Sequence, residues 1–271
     1  MVLNERRFHY LEWGEPGNPP LLFLHGGNQS ARTWDLICLT LSTQYHCIAL
    51  DQRGHGESEW SYEGHYAPQD HTKDIEALVD HLGWKKFSII GMSMGGMNAL
   101  WYATTESARL NALVSVDVGP FLQVEKSERL ISFVEGNKKH KSLEDFVTAA
   151  LKFNPRRKPE LLRHSLTHTT RELADGSWEW KADRRKSLSL KQMSDWLSSL
   201  QANIAEIQCP VLVIRGAESA LFSNEDAHRF VDLLPRGSFA LVKKAGHTIQ
   251  GDNPKGLLDA LNNFFPQHLL N

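Results

Sequence analysis

The chain has 271 residues, 41% of them hydrophobic and 23% charged, and a formal net charge of −2 at pH 7. This balance is typical of a folded soluble protein, and the lack of a basic excess argues against a nucleic-acid partner. No apolar run is long enough to span a membrane and residues 1–13 do not resemble a signal peptide, so we expect no membrane partner and a cytoplasmic location. The three cysteines are scattered, which favours reduced thiols over a disulfide framework or a zinc site.

The first third of the chain predicts the strands of a buried sheet. Residues 6–13 alternate loosely and predict an edge strand, and the apolar residues 21–24 predict a central one. That central strand leads directly into His25-Gly26-Gly27-Asn28, which a helix carrying Trp34 follows. Residues 45–50 predict another strand.

The loop at residues 51–58, DQRGHGES, follows that strand. Its glycines and its Asp51–Arg53 pair suit a tight, hydrogen-bonded turn, so we interpret the loop as structural. The alternative is a metal site formed by Asp51, His55 and Glu57, and we expect no metal there.

Residues 87–103 contain the most informative pattern of the chain. A short apolar strand leads into Gly91-Met92-Ser93-Met94-Gly95, which fits the pattern G-x-S-x-G, and small or helix-forming residues follow. A strand that turns sharply into a helix crowds its own backbone, and glycines on either side of the turn leave room for it. The order of strand, turn and helix argues against a chance match and predicts that Ser93 projects from the tip, at a helix N-terminus.

Strands and helices continue to alternate beyond this turn, with one interruption. Residues 69–82 predict an amphipathic helix, and residues 110–118 predict a core strand that ends at Asp117. Residues 121–200 are rich in Lys and Arg, contain amphipathic helical segments and lack the strand–helix alternation. The strand pattern returns at residues 209–214 and 239–242, the latter leading to His247, and residues 254–265 predict a final helix.

The motif around Ser93, the His-Gly-Gly loop and the 51–58 loop together resemble the α/β-hydrolase superfamily. The resemblance implies an α/β fold with a mostly parallel eight-stranded sheet flanked by helices, and with a helical cap inserted after the sixth strand. It divides the chain into a first core part at residues 1–120, a cap at residues 121–200 and a second core part at residues 201–271. It also implies a Ser-His-acid triad and no cofactor.

In this resemblance Ser93 is the nucleophile and His247 is the base, because His247 follows the last strand in the order that the superfamily keeps. A serine hydroxyl needs such a base to remove its proton. The backbone N–H groups of Gly27 and Met94 are expected to form the oxyanion hole. His25 is interpreted as a structural hydrogen-bonding residue.

The acid of the triad has two candidates. Members of the superfamily usually carry Asp three residues after the glycine that ends the strand before the histidine strand, and here that position is Ser219. Glu218 lies one residue earlier, where an extended backbone turns the side chain to the other side. Some members supply the acid after the strand that follows the nucleophile helix, and Asp117 fits that position, so we predict Asp117 with Glu218 as the alternative.

The resemblance implies a small-molecule ester or lactone as substrate, and a monomer or homodimer. A carbon–carbon bond hydrolase of ring-cleavage β-diketones uses the same three residues and is the first alternative. It would need a cap residue that binds a carboxylate, for which the candidates are Arg156, Arg157, Arg163 and Arg184. A non-catalytic ligand receptor is the second alternative. Dehalogenases and epoxide hydrolases are disfavoured because they need a carboxylate in place of Ser93.

Four residues are candidates for substrate contact: Asn28, Trp34, Trp178 and Trp180. Asn28 directly follows the His-Gly-Gly sequence, and Trp34 lies six residues further along the chain. Trp178 and Trp180 lie in the predicted cap, as does Trp196. A packing role is the alternative for the tryptophans.

Overall fold

A computed structural model describes residues 1–122, 126, 128–183 and 190–269. The strands in this part of the chain are β1 (Val2–Leu3), β2 (Arg6–Arg7), β3 (Tyr10–Trp13), β4 (Pro20–Leu24), β5 (His46–Leu50), β6 (Phe87–Met92), β7 (Leu110–Val116), β8 (Lys139–His140), β9 (Thr170–Glu172), β10 (Trp178–Trp180), β11 (Val211–Gly216) and β12 (Gly237–Val242). The α-helices are α1 (Asp35–Leu41), α2 (Pro68–His81), α3 (Met94–Glu106), α4 (Glu128–Gly136), α5 (Leu143–Phe153), α6 (Pro159–Thr169), α7 (Leu190–Asn203), α8 (Asn224–Leu233), α9 (Ile249–Asp252), α10 (Pro254–Phe264) and α11 (Pro266–Leu269).

The central sheet has the strand order β12-β11-β7-β6-β4-β5-β3. All neighbouring strands are parallel except β3, which pairs antiparallel with β5 at one edge. The inner strands are buried on both faces, which is why their sequences are mostly apolar and do not alternate regularly between polar and apolar residues. The mostly parallel sheet flanked by helices confirms the predicted fold class.

The expected number of strands is corrected from eight to seven within the described residues. The chain before β3 does not join the sheet, because β1 and β2 pair with each other in a separate two-residue hairpin. Asn4 and Glu5 make its turn, both with positive φ. The inserted segment therefore follows the fifth strand of the central sheet instead of the sixth.

Helices cover both faces of the sheet and build two apolar clusters. One cluster contains residues of α2, α3 and α8, and the other contains residues of α1 and α10. Successive residues of β6 alternate between them, so Ile89 packs in the first cluster and Ile90 in the second. No helix in the described part of the chain is long and apolar enough to cross a membrane.

Residues 121–200, called the inserted segment below, contain helices as predicted and also a small antiparallel sheet of order β8-β10-β9. Residues 178–180 form β10, the middle strand of this small sheet. The turn lies just before them, where Gly176 has φ of 79° and Leu173 N–H donates to Ser177 O at 2.7 Å. Helices α5 and α6 pack with Trp180 around a separate apolar cluster that includes Phe146 and Leu166.

The parallel strands bring several loops together at their carboxyl ends. Because β4, β6, β7, β11 and β12 run in the same direction, the residues after each of them meet at that end of the sheet. These residues are the His-Gly-Gly loop, Ser93, Asp117, Ser219 and His247.

Candidate active site

Ser93 occupies a strained turn between β6 and α3. Its backbone has φ of 51° and ψ of −116°, a conformation that a residue with a side chain rarely adopts. Its N–H donates to Val116 O at 3.2 Å, which fixes the turn against the end of β7. Met94 begins α3, so its N–H is one of those that have no acceptor within the helix.

The glycines around Ser93 are required by close backbone contacts. A Cβ on Gly91 would lie 2.3 Å from Gly95 O, and a Cβ on Gly95 would lie 2.4 Å from Leu24 O. Both distances are far below van der Waals contact with rigid backbone. The pattern G-x-S-x-G is therefore a steric requirement of this turn, as the sequence predicts.

Asp117 lies next to this turn and holds His247. His247 Nδ1 donates to Asp117 Oδ2 at 2.8 Å, and the Asp117 side chain is 0% exposed. Asp117 has φ of 54°, so the chain turns sharply as it leaves β7. Because Ser93 is hydrogen-bonded to the residue before Asp117, the structure brings Ser93, Asp117 and His247 to one region.

Two further groups donate to the Asp117 carboxylate. Gly216 N–H donates to Oδ1 at 2.9 Å, and the Ser219 hydroxyl donates to Oδ2 at 2.5 Å. Ser219 occupies the position where the superfamily usually carries its acid, and here its hydroxyl donates to Asp117, which follows the neighbouring strand. Both donors give hydrogen-bond partners to a carboxylate that has no solvent contact.

Replacement of Ser219 by alanine tests this support. We expect the Ser219→Ala variant to lose about 1.5–3 kcal/mol of unfolding free energy, because a hydrogen bond to a buried charge is removed. The kcat of a reaction that uses His247 should fall together with it, and Ser219→Thr should retain most of both properties. Urea unfolding and steady-state kinetics measure the two effects, and wild-type stability in Ser219→Ala would contradict this role.

Glu218, the alternative acid, points elsewhere. Its carboxylate accepts from Arg156 Nε at 2.5 Å, and both side chains are well exposed. Arg156 belongs to the inserted segment, so Glu218 joins that segment to the core. The structure thus places Asp117, and not Glu218, on His247.

The His-Gly-Gly loop is held by a buried network around His25. His25 Nδ1 donates to Gly26 O at 2.8 Å, and His25 Nε2 accepts from Gln52 N–H at 3.0 Å. Gln52 Nε2 donates to His25 O at 2.6 Å, and Asn98 on α3 donates to Gln52 Oε1 at 2.7 Å. His25 is therefore a structural residue, as predicted.

Gly27 and Asn28 lie at the accessible side of this loop. A Cβ on Gly27 would meet no atom within 4 Å, so the space in front of its backbone is open. Asn28 has φ of 56° and is partly exposed. This geometry is compatible with the expected oxyanion and substrate-contact roles, which stay predictions.

His25 should make stability depend on pH. Burial lowers the pKa of His25 to about 4, with a further lowering by His55, whereas an unfolded histidine titrates near pH 6.5. The unfolded chain then binds more protons between these values, so stability is full above about pH 6.5 and is lost toward pH 4.

We expect His25 to contribute a loss of about 2 kcal/mol in unfolding free energy between pH 7 and pH 5. Urea unfolding of wild type and His25→Gln at both pH values measures it. The variant should show the smaller loss on acidification, and equal losses in the two proteins would refute the assignment.

The tryptophans predicted to contact substrate have other positions. Trp34 is 0% exposed and packs at 5.4 Å, between ring centroids, from Phe23 in the core, so its interpretation as a substrate-binding residue is wrong. Trp180 is buried in the cluster of the inserted segment, where Nε1 donates to Asn137 O at 2.8 Å, and it too serves packing. Trp178 is partly buried against the same cluster. Aromatic residues near a motif are as compatible with core packing as with a pocket, which explains the error.

Two of the four arginine candidates are paired with glutamates: Arg156 with Glu218, and Arg163 with Glu144 at 2.6 Å. Arg184 lies outside the described residues. Arg157 makes no such pair within the described residues.

In the loop at residues 51–58, hydrogen bonds within the protein take up the Asp51 carboxylate, which was one ligand of the alternative metal site. The Asp51 carboxylate accepts from Ala31 N–H at 2.6 Å, from Glu57 N–H at 3.0 Å and from His9 Nδ1 at 2.8 Å. Among the described residues no group of three or more His, Cys, Asp or Glu side chains is arranged to hold a metal.

Sequence reasoning missed two contributors to the site. The first is the Ser219 hydroxyl. The second is Gln250, whose Nε2 donates to Thr33 Oγ1 at 3.0 Å and to Gln29 Oε1 at 3.3 Å, which joins the His247 loop to the loop that carries Gly27. The position of Ser219 in the usual acid slot was a signal for the first, whereas no pattern pointed to the second.

Comparison with known proteins places this geometry in a family. An esterase of Mycobacterium tuberculosis is 28% identical over 92% of this chain and 83% of its own length. A 3-hydroxybutyrate-oligomer hydrolase of Cupriavidus necator is 28% identical over 89% of this chain and 87% of its own. The crystal structure of the Mycobacterium tuberculosis esterase matches with a TM-score of 0.80 at 26% identity, covering 97% of this chain and 90% of that one.

The same fold is found at lower identity in the crystal structure of E-2-(acetamidomethylene)succinate hydrolase, with a TM-score of 0.84 at 23% identity over 97% of this chain and 96% of that one. These relatives are esterases and hydrolases, which supports hydrolase activity. The family model described as alpha/beta hydrolase fold matches residues 19–254. The chain therefore belongs to the alpha/beta hydrolase fold family.

Proposed function

We propose that the chain is a serine hydrolase that cleaves carboxylic esters or lactones through an acyl-enzyme on Ser93. The observation that carries the proposal is the hydrogen bond of 2.8 Å between His247 Nδ1 and the buried Asp117, beside the strained turn that holds Ser93. A histidine with Nδ1–H donated to a carboxylate leaves Nε2 free to accept a proton.

The reaction follows from these roles. Ser93 Oγ attacks the ester carbonyl while His247 Nε2 takes its proton, and Asp117 stabilises the imidazolium. His247 then protonates the leaving alkoxide, which departs as the alcohol. Water, deprotonated by His247, then attacks the acyl-enzyme, and the imidazolium returns that proton to Ser93 Oγ as the C–O bond to Ser93 breaks and the acid leaves.

The N–H groups of Gly27 and Met94 are the proposed donors to the tetrahedral oxyanion. Met94 lies at the N-terminus of α3, where the helix dipole adds to the stabilisation of negative charge. Each donor of this kind contributes about 3 kcal/mol to lowering the barrier.

The inserted segment is proposed to act as the cap of this site. Asn154 Nδ2 donates to Asp252 Oδ1 at 2.9 Å, and Asp252 Oδ2 accepts from Gly246 N–H at 2.9 Å, next to His247. These contacts support a cap that packs on the His247 loop and shields the reaction from water.

Labelling with a p-nitrophenyl alkylphosphonate tests the proposal together with a panel of esters, lactones and β-diketones. We expect ester or lactone turnover, and loss of activity when one phosphonate attaches to Ser93, located by peptide mass spectrometry. Turnover of the β-diketones alone would favour the carbon–carbon bond hydrolase. Absence of both labelling and turnover would favour a receptor and reject the proposal.

A further inference from the structure

Arg157 lies just before α6 and its guanidinium packs against the loop that follows His247. A Cβ on Gly251 would meet Arg157 Cζ at 2.5 Å and Nε at 2.6 Å, so the guanidinium occupies the space that the missing side chain leaves. The neighbouring Gln250 is the residue that bonds the His247 loop to Gln29 and Thr33. Arg157 thus belongs to the inserted segment and lies against the residue next to the one that joins these two parts of the candidate site.

This guanidinium has no acceptor among the described residues. Its Nε is shielded from solvent without a hydrogen-bond partner, and no carboxylate of the described chain lies within ion-pair distance. The other described arginines that are not strongly exposed all have acceptors: Arg6, Arg32, Arg53 and Arg109 pair with carboxylates, and Arg215 donates to two backbone carbonyls.

Asp252, the negative group that acts on this guanidinium, makes no hydrogen bond or ion pair with it. Asp252 attracts the guanidinium through space, but its two oxygens accept hydrogen bonds from Asn154 and from the Gly246 N–H and not from Arg157. Burial lowers the pKa of Arg157, but an arginine retains its charge at neutral pH. A shielded charge without a counter-ion is costly, and an anion that binds there would remove that cost.

We propose that Arg157 binds a carboxylate carried by the substrate, so that the preferred substrates are half-esters of dicarboxylic acids. This inference rests on the proposed function, because it assigns the ester bond to Ser93 and the free carboxylate to Arg157. The planar guanidinium suits a carboxylate, which accepts two parallel hydrogen bonds from it.

Matched substrates test the proposal. The monoethyl esters of succinic, glutaric and adipic acids are compared with ethyl esters of monocarboxylic acids of equal chain length, by release of ethanol. We expect wild type to prefer at least one half-ester in kcat/KM. Arg157→Gln should lose about 10- to 100-fold toward that half-ester and change little toward the neutral ester.

Two variants control this result. Arg163→Gln removes an exposed arginine of the same helix region that is paired with Glu144, and should retain the preference. Gly251→Ala keeps Arg157 but fills the space of its guanidinium, and should reduce the preference in the same direction as Arg157→Gln. Equal losses toward acidic and neutral esters in Arg157→Gln, or no half-ester preference in wild type, would overturn the proposal.

Binding without turnover separates this inference from the proposed function. Glutarate should raise the Tm of wild type and should have a smaller effect on Arg157→Gln, whether or not any ester is hydrolysed. If wild type hydrolyses no ester but binds glutarate through Arg157, the ester reaction is wrong and the anion site stands. If neutral esters are hydrolysed and no dicarboxylate of the series shifts the Tm, the anion site is wrong and the reaction stands.

Discussion

Replacement of Ser93 by alanine is expected to lower kcat by about 10⁴- to 10⁶-fold, because the variant lacks the oxygen that forms the acyl-enzyme. The fold should be unaffected, since alanine retains the Cβ and imposes the same backbone demand at φ of 51°. Phosphonate labelling should disappear completely. Substrate binding should remain within a few-fold of wild type, which calorimetry with a non-reacting ester analogue measures.

Ser93→Cys is the matched control for this change. It retains a nucleophile at the same turn, so a slow reaction through a thioester is expected to remain. Ester hydrolysis at an undiminished rate in Ser93→Ala would show that another residue carries the reaction and would refute the proposed mechanism.

Replacement of Asp117 by asparagine is expected to lower kcat by about 10⁴-fold. An amide cannot stabilise the imidazolium, and its NH₂ group favours the tautomer of His247 that lacks the proton on Nδ1. Glu218→Gln should change kcat by less than about threefold, because it breaks only the exposed pair with Arg156. Steady-state kinetics of both variants decide between the two acids, and the reverse order of effects would contradict the assignment.

A carboxylate moved to position 219 sharpens this test. The Ser219 hydroxyl lies 2.5 Å from the oxygen of Asp117 that His247 contacts, so an aspartate there would bring a charge to the same imidazole. We expect the double variant Asp117→Asn with Ser219→Asp to recover part of the activity that Asp117→Asn alone loses. Circular dichroism and urea unfolding of each variant separate catalytic loss from loss of fold.

The parts of the molecule that the sequence predicted correctly are those in which backbone geometry restricts residue choice. The turn at Ser93 tolerates only glycine at positions 91 and 95, because a Cβ at either would meet a carbonyl oxygen. Strands buried on both faces favour mostly apolar sequences, which made β4 to β7 recognisable. Such restrictions leave a local pattern that can be found without the structure.

The parts that the sequence did not predict depend on contacts between distant residues. Strands β1 and β2 pair with each other and not with the central sheet. The choice between these two pairings depends on the rest of the fold and leaves no pattern in the local sequence. The residues that flank Trp34 in the sequence do not indicate whether its ring faces a pocket or packs against Phe23, as it does here. The unpaired state of Arg157 becomes visible only when its surroundings, including Gly251, are known.

The contacts of Asn154 with Asp252 and of Arg156 with Glu218 also have a mechanical meaning. They tie the inserted segment to the residues around His247 and to Glu218, next to the Ser219 that donates to Asp117. Displacement of that segment to admit a bulky substrate has to break these ties or to drag those residues with it. If the inserted segment is the proposed cap, access to Ser93 and alignment of the His247 imidazole depend on the same contacts, and a substitution that loosens Asn154 should change both together.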